Sequence, residues 1–291
     1  MIVDCHTHLW SYPGHLSEEF VAEANLMRSE PVEMNVDPDK HFEAMEQVDR
    51  AIVLAFRATA SGINVPNDFI AEYVGRAPEK LIGFLSVEPQ QHDPAGEIER
   101  AVFDLGMKGI KLGPIYQHFH PNDPMAYPIY AKAQELGLPI LFHQGTTFPR
   151  KAPLKYAHPI LLEDVALRFP ELVMIIAHLG HPWEAETLVL IRKQPNMYSD
   201  ISALFYRPWQ CYHALRLAME YGVTHKLLFG TDYPVTTAQE SIEGLYRISE
   251  RMEEANLPEL PKEVLDRIIH QDALKLLGIE ALLKKSCKKR T

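Results

Sequence analysis

The sequence predicts one (β/α)8 barrel of the α/β class, the TIM-barrel type, with an extra C-terminal helix. Three observations carry this. Eight short apolar runs recur at wide spacing, segments of helical period lie between them, and no Pro/Gly/Ser linker or composition break divides the 291 residues. With 46% hydrophobic, 23% charged and 9% aromatic residues, the composition excludes disorder and collagen-like repeats. Length alone would suggest about two domains, but single barrels run to ~250 residues or more.

The predicted strands, in order, are Ile2 to Cys5, Ala51 to Phe56, Leu81 to Val87, Met107 to Leu112, Leu138 to Phe142, Leu172 to Ala177, Asn196 to Ser199 and Lys226 to Phe229. They are mostly continuous rather than alternating in hydropathy, as parallel strands covered on both faces should be. Asp37-Pro38 reads as an N-cap followed by proline at the first helical position, and Phe42, Met45 and Val48 then share one face. Further helices fit Asn67 to Val74, Pro94 to Leu105, Ala126 to Leu136, Pro159 to Phe169, Trp183 to Ile191, Trp209 to Tyr221 and Glu240 to Met252. A last helix, Pro261 to Leu277, turns Leu265, Ile268, Ile269, Ala273, Leu276 and Leu277 inward and stops at Gly278. With no strand after it, it should pack on the barrel exterior or across one end. Residues 1–280 therefore read as one domain and 281–291 as a basic, disordered tail.

A formal net charge of -10 repels polyanions, so a nucleic-acid partner is not expected; a small-molecule substrate is. Cys5, Cys211 and Cys287 lie far apart without a CxxC pair, which supplies neither a disulfide framework nor a thiolate zinc site. The N-terminal residues lack the basic flank and long apolar stretch of a signal peptide, and no segment approaches the ~20 apolar residues of a membrane span. The expected location is the cytoplasm.

In such a barrel, reactive groups sit at the carboxyl ends of strands. His6 and His8 follow the first strand two residues apart, a spacing that in extended chain turns both imidazoles to one side. His143 ends the fifth strand, His178 the sixth, and Asp232 follows the eighth. Imidazole and carboxylate suit zinc and similar divalent ions, and a catalytic ion needs about three or four such ligands with a position left for water. Taken singly, each histidine reads more readily as a hydrogen-bonded structural residue; five candidates on one rim reverse that judgement. Lys111, at the end of the fourth strand, suits a substrate carboxylate or an acidic partner. Arg57, Tyr116 and Trp183 are candidate substrate-binding residues, as a carboxylate clamp, a loop aromatic and a stacking surface. Asp200 is expected to brace a ligand rather than bind metal.

The segments Asp4-Cys5-His6-Thr7-His8, Gly109-Ile110-Lys111-Leu112, Phe142-His143, Ala177-His178-Leu179-Gly180 and Gly230-Thr231-Asp232-Tyr233-Pro234 occur in this order. Together they resemble the amidohydrolase superfamily, and within it the amidohydrolase-related group that includes aminocarboxymuconate semialdehyde decarboxylase. The likeness runs from the first strand to the final helix, although Gln271-Asp272-Ala273 stands where members commonly carry an Asn-Ala pair. It implies one divalent metal, zinc expected, held by His6, His8, His143 and Asp232. His178 would then stand beside the metal-bound water as an acid/base, with Asp232 taking the proton. Binuclear relatives instead use the His178 position and a carboxylated lysine at the Lys111 position for a second ion. The group often forms dimers, so a homodimer is the implied assembly.

The first reading is a metal-dependent hydrolase of a small amide, ester or lactone, carrying a carboxylate and attacked by metal-activated water. The paired His6 and His8 and the placement of Lys111 favour it. The alternative is a metal-dependent nonoxidative decarboxylase of an aromatic or unsaturated carboxylic acid. A third reading, an inactive small-molecule-binding barrel, requires a lost ligand, and none is missing.

Overall fold

The computed structural model describes residues 1–26 and 31–288. Ten strands alternate with helices: β1 Val3–His8, β2 Arg50–Leu54, β3 Phe56–Ala58, β4 Ile63–Val65, β5 Leu81–Ser86, β6 Ile110–Leu112, β7 Ile140–Phe142, β8 Met174–Ile176, β9 Met197–Asp200 and β10 Leu227–Leu228. Eight of them form one sheet in the order β1-β2-β5-β6-β7-β8-β9-β10, all pairs parallel. Backbone bonds close it: Cys5 N–H donates to the Phe229 carbonyl at 3.0 Å and His8 N–H to that of Tyr233 at 2.8 Å. The chain is a (β/α)8 barrel, as its sequence predicts.

The helices are α1 Glu18–Leu26, α2 Pro38–Ala44, α3 Asn67–Val74, α4 Pro94–Phe103, α5 Pro114–Gln117, α6 Tyr127–Leu136, α7 Glu163–Arg168, α8 Glu184–Lys193, α9 Pro208–Glu220, α10 Ala238–Glu254, α11 Lys262–Ile269, α12 Ala273–Leu276 and α13 Ile279–Lys288. Local chemistry explains several boundaries. The Asp37 carboxylate caps α2 by accepting from the amides of Asp39 and Lys40, and Thr237 with Glu240 forms a reciprocal capping box on α10. Gly278 then turns left-handed at φ +72° after α12.

Strand residues divide between two apolar layers. Ala51, Val53, Ile110, Ile140, Phe142 and Ile176 pack outward under the helices, while Ile52, Leu54, Ile82, Phe84, Leu141, Ile175 and Leu228 fill the barrel. Ala273, Leu274, Leu277 and Ile279 join that inner layer with Val3, so α12 and the start of α13 close the end opposite the carboxyl rim.

Every predicted strand is present, with ends shifted by a few residues. The hairpin of β3 and β4 and helix α1 stand where no element is predicted. The single last helix is divided between α11 and α12, because Asp272 bonds the Lys275 amide and starts a new turn. The 281–291 tail is corrected in part: α13 continues through Lys288, since its apolar residues complete the inner layer. Residues 289–291 of the basic run lie outside the described residues. Cys5 and Cys211 are buried free thiols, and the Cys287 side chain lies outside the described ones. Among the described residues no helix is long and apolar enough to cross a membrane.

Candidate metal centre

The β1 motif meets the segment after β10 at the barrel seam, where the pairing of β1 with β2 slips register between Asp4 and Thr7. The buried Asp4 carboxylate stitches this seam, accepting from the amides of His6 and Thr231 and from the Thr231 hydroxyl. Burial raises its pKa to about 7 against the pull of those bonds. Gly230 leaves room for His6; an added Cβ would stand 3.2 Å from the Cβ atoms of His6 and Ser202. Thr7 points the other way, donating to the Ile52 carbonyl and meeting His41 Nε2 at 3.0 Å, while His41 Nδ1 meets the Tyr73 hydroxyl.

Asp232 Oδ1 lies 3.4 Å from both His6 Nε2 and His8 Nε2, and its Oδ2 lies 4.0 Å from His178 Nε2. One ligand atom each from His6, His178 and Asp232 falls within a 4.8 Å group. His6 Nδ1 meets Asp200 Oδ2 at 3.1 Å, which leaves Nε2 to face the centre. His178 Nδ1 faces the Ser202 hydroxyl at 2.8 Å, so its Nε2 is likewise directed inward. Both His178 and Asp232 adopt left-handed backbone, at φ +54° and +59°, a conformation costly for residues with a Cβ and concentrated at functional sites.

These residues fit a divalent ion. A tetrahedron with ligand bonds of ~2.1 Å has edges of about 3.4 Å, the separation found between Asp232 and the imidazoles of His6 and His8. Protonation states agree with geometry. Burial, aided by the charge of Lys111, lowers the pKa of His6 to about 3 and keeps the imidazole neutral. Burial would raise Asp232, but the imidazoles of His178, His6 and His8 hold it below the usual carboxylate range. Neutral imidazole and ionised carboxylate are the ligating forms.

Lys111 is fully buried, with Nζ 3.1 Å from His6 Nε2 and 5.5 Å from the centre of the Phe56 ring. Desolvation lowers its pKa to about 8 despite the attraction of Asp232 and Asp200. His143 stands beside this group, its ring 5.1 Å from that of His178, but its Nε2 meets the Thr146 carbonyl at 3.0 Å. The structure thus draws His6, His178 and Asp232 together, with His8 on Asp232, and turns one nitrogen of His143 to a loop.

Aromatic faces wall the centre. Trp10 stacks on His8 at 4.4 Å, and Tyr116 meets His143 edge-on at 4.8 Å while its hydroxyl bonds Thr147. On β3 the alternation turns Phe56 inward, so Arg57 lines a surface cavity of about 330 Å³ with Asn64, Asn67, Gln91 and Arg100. Trp183 packs at the entry to α8 against His158, 5.0 Å away between ring centres. The sequence reading missed Trp10 and Phe56; each follows a predicted strand or ends one, a placement that with an aromatic side chain is the available signal.

Together, the barrel, its strand-end imidazoles and the aspartate after β10 make a cluster at the carboxyl rim that could hold a metal ion. The chain belongs to the amidohydrolase family, whose model matches residues 3–279. Among curated proteins it is 28% identical over 164 residues to gamma-resorcylate decarboxylase of Rhizobium radiobacter, covering 47% of this chain and 48% of that protein. It is 31% identical over 78 residues to 2-amino-3-carboxymuconate-6-semialdehyde decarboxylase of Dictyostelium discoideum, covering 26% of this chain and 22% of that one. The match thus spans about half the length of the first relative and less of the second. The fold also matches the solved structure of a 5-carboxyvanillate decarboxylase from Novosphingobium aromaticivorans complexed with manganese and a nitrobenzoic acid. The TM-score is 0.67 at 15% identity, with 96% of each chain covered.

Proposed function

We propose that this protein is a metal-dependent carboxy-lyase that removes a carboxyl group, without oxidation, from a flat aromatic or unsaturated acid. One observation carries the reading: the His6, His178 and Asp232 cluster, with its buried cation Lys111, stands between aromatic faces of Trp10, Phe56 and Tyr116. Decarboxylases among the matched relatives support it. It reverses the order in which the sequence alone ranks the two reactions.

His6, His8 and Asp232 would hold the ion, with His143 and His178 at its flank; zinc is one fitting metal and manganese another. A bound divalent ion supplies positive charge that orients and polarises substrate oxygen atoms. The protein does the rest. Trp10 and Tyr116 confine a planar ring and exclude water. His178, held by Ser202 at Nδ1, carries a proton on Nε2 toward substrate carbon as the carboxyl group departs as carbon dioxide. Asp232, 4.0 Å away, stabilises the imidazolium between turnovers.

Hydrolysis of a small amide, ester or lactone is the second reading, favoured by Asp232 as an ionised base beside His6 and His8. Assays of carbon dioxide release and of acid release, run on metal-loaded protein with dihydroxybenzoates and with small lactones, separate the two. Carbon dioxide in step with substrate loss is the expected result; acid release from lactones without it overturns the proposal.

A further inference from the structure

Lys111 is the least ordinary charge in the molecule. Its strand neighbours Ile110 and Leu112 face outward into the helix layer, so Lys111 points into the barrel, in register with Leu141 of the inner apolar layer. An ammonium there needs a partner, because burying an uncompensated charge is costly. Among the described residues no carboxylate lies within ion-pair distance of it, and its hydrogen bond is to His6 Nε2 at 3.1 Å. Phe56 offers a ring face at 5.5 Å, a weaker contact.

That hydrogen bond uses the lone pair which the metal reading assigns to the ion. Asp200 on Nδ1 leaves His6 no second lone pair, so ion and ammonium compete for one nitrogen. Once an ion is held, Lys111 loses its acceptor and stands charged in an apolar wall. We infer that Lys111 is the anchor for the substrate's carboxylate, donating to one of its oxygens where an ion would take the His6 Nε2 lone pair. This rests on the proposed reading of the site as acid-binding and adds to it the residue that selects an anion. It also assigns Lys111 a role other than bridging a second ion, which would need the side chain to be an acceptor.

The test compares benzoate with uncharged benzamide, of the same shape, by calorimetric titration of the manganese-loaded full chain. The quantity read is the ratio of the two dissociation constants, since the ion itself contributes some preference for the acid. In Lys111→Met that ratio is expected to fall about tenfold or more, with metal per chain unchanged by mass spectrometry. Lys111→Gln serves equally if the methionine variant is poorly folded. An unchanged ratio, no preference for benzoate in the wild type, or loss of bound metal in either variant overturns the inference. The carbon dioxide assay is separate: a collapsed ratio without decarboxylation keeps the anchor and removes the reaction, whereas decarboxylation with an unchanged ratio does the reverse.

Discussion

Asp200 does its work at one remove, by deciding which nitrogen of His6 is free. Replacing it by alanine is expected to weaken metal binding about 10- to 100-fold, as removal of such supporting carboxylates does; competition with a chromophoric chelator measures this. Asp232→Asn keeps an oxygen beside His6 and His8 but loses the charge. Turnover should fall by at least ~10²-fold, the scale of a lost acid–base partner. Metal per chain, measured on the same sample, tells ligand loss from chemical loss. At this scale the sequence was partly legible. Strand-end position located His6, His8, Lys111, His178 and Asp232, because barrel topology alone carries such residues to one rim. The surroundings of Arg57 and Trp183 depend on one step of strand alternation and on the entry angle of a helix, which strand-end position does not give.

Among the elements, α12 shows how the opposite end of the barrel is sealed. Leu277 is fully buried in the inner layer with Leu274 and Ile279. Leu277→Ala is expected to cost about 2–5 kcal/mol by opening a cavity, read as a lower midpoint in urea, while metal content stays unchanged because the site lies at the other rim. The eight strands were legible as continuous apolar runs, since both faces of each are covered. The hairpin of β3 and β4 was not: strands of three residues are too short to show a period, and their pairing depends on the turn at Gly62, φ +78°. Among the described residues of helix α1 only Phe20 and Ala24 are buried, which leaves little amphipathic signal. The interruption between α11 and α12 turns on the Asp272 cap, a local competition that helical periodicity does not record.

For the molecule as a whole, buried neutral imidazoles set the acid limit. His41, packed against Tyr73 and Thr7, has its pKa lowered by burial to about 3. The unfolded chain, with histidine near 6.5, therefore takes up a proton first. Stability from this group is complete above pH 6.5 and is lost as pH falls toward 3, by about 2 kcal/mol at pH 5. Urea midpoints measured from pH 7 to 5 should decline in the wild type and less steeply in His41→Gln. An equal decline in both would assign the acid lability to other groups.

The Asp4 stitch carries a consequence for the order of assembly. Two of its three bonds join residues near the two ends of the barrel sequence, Asp4 and Thr231. Until the last strand docks, the carboxylate has no hydroxyl to hold and the imidazoles no aspartate to face. Competence for the ion is thus a late event in folding, and a growing chain cannot acquire it early. In refolding monitored by a cobalt absorption band, the band should rise with the final cooperative phase, and a band preceding that phase would place the seam earlier in the sequence of events.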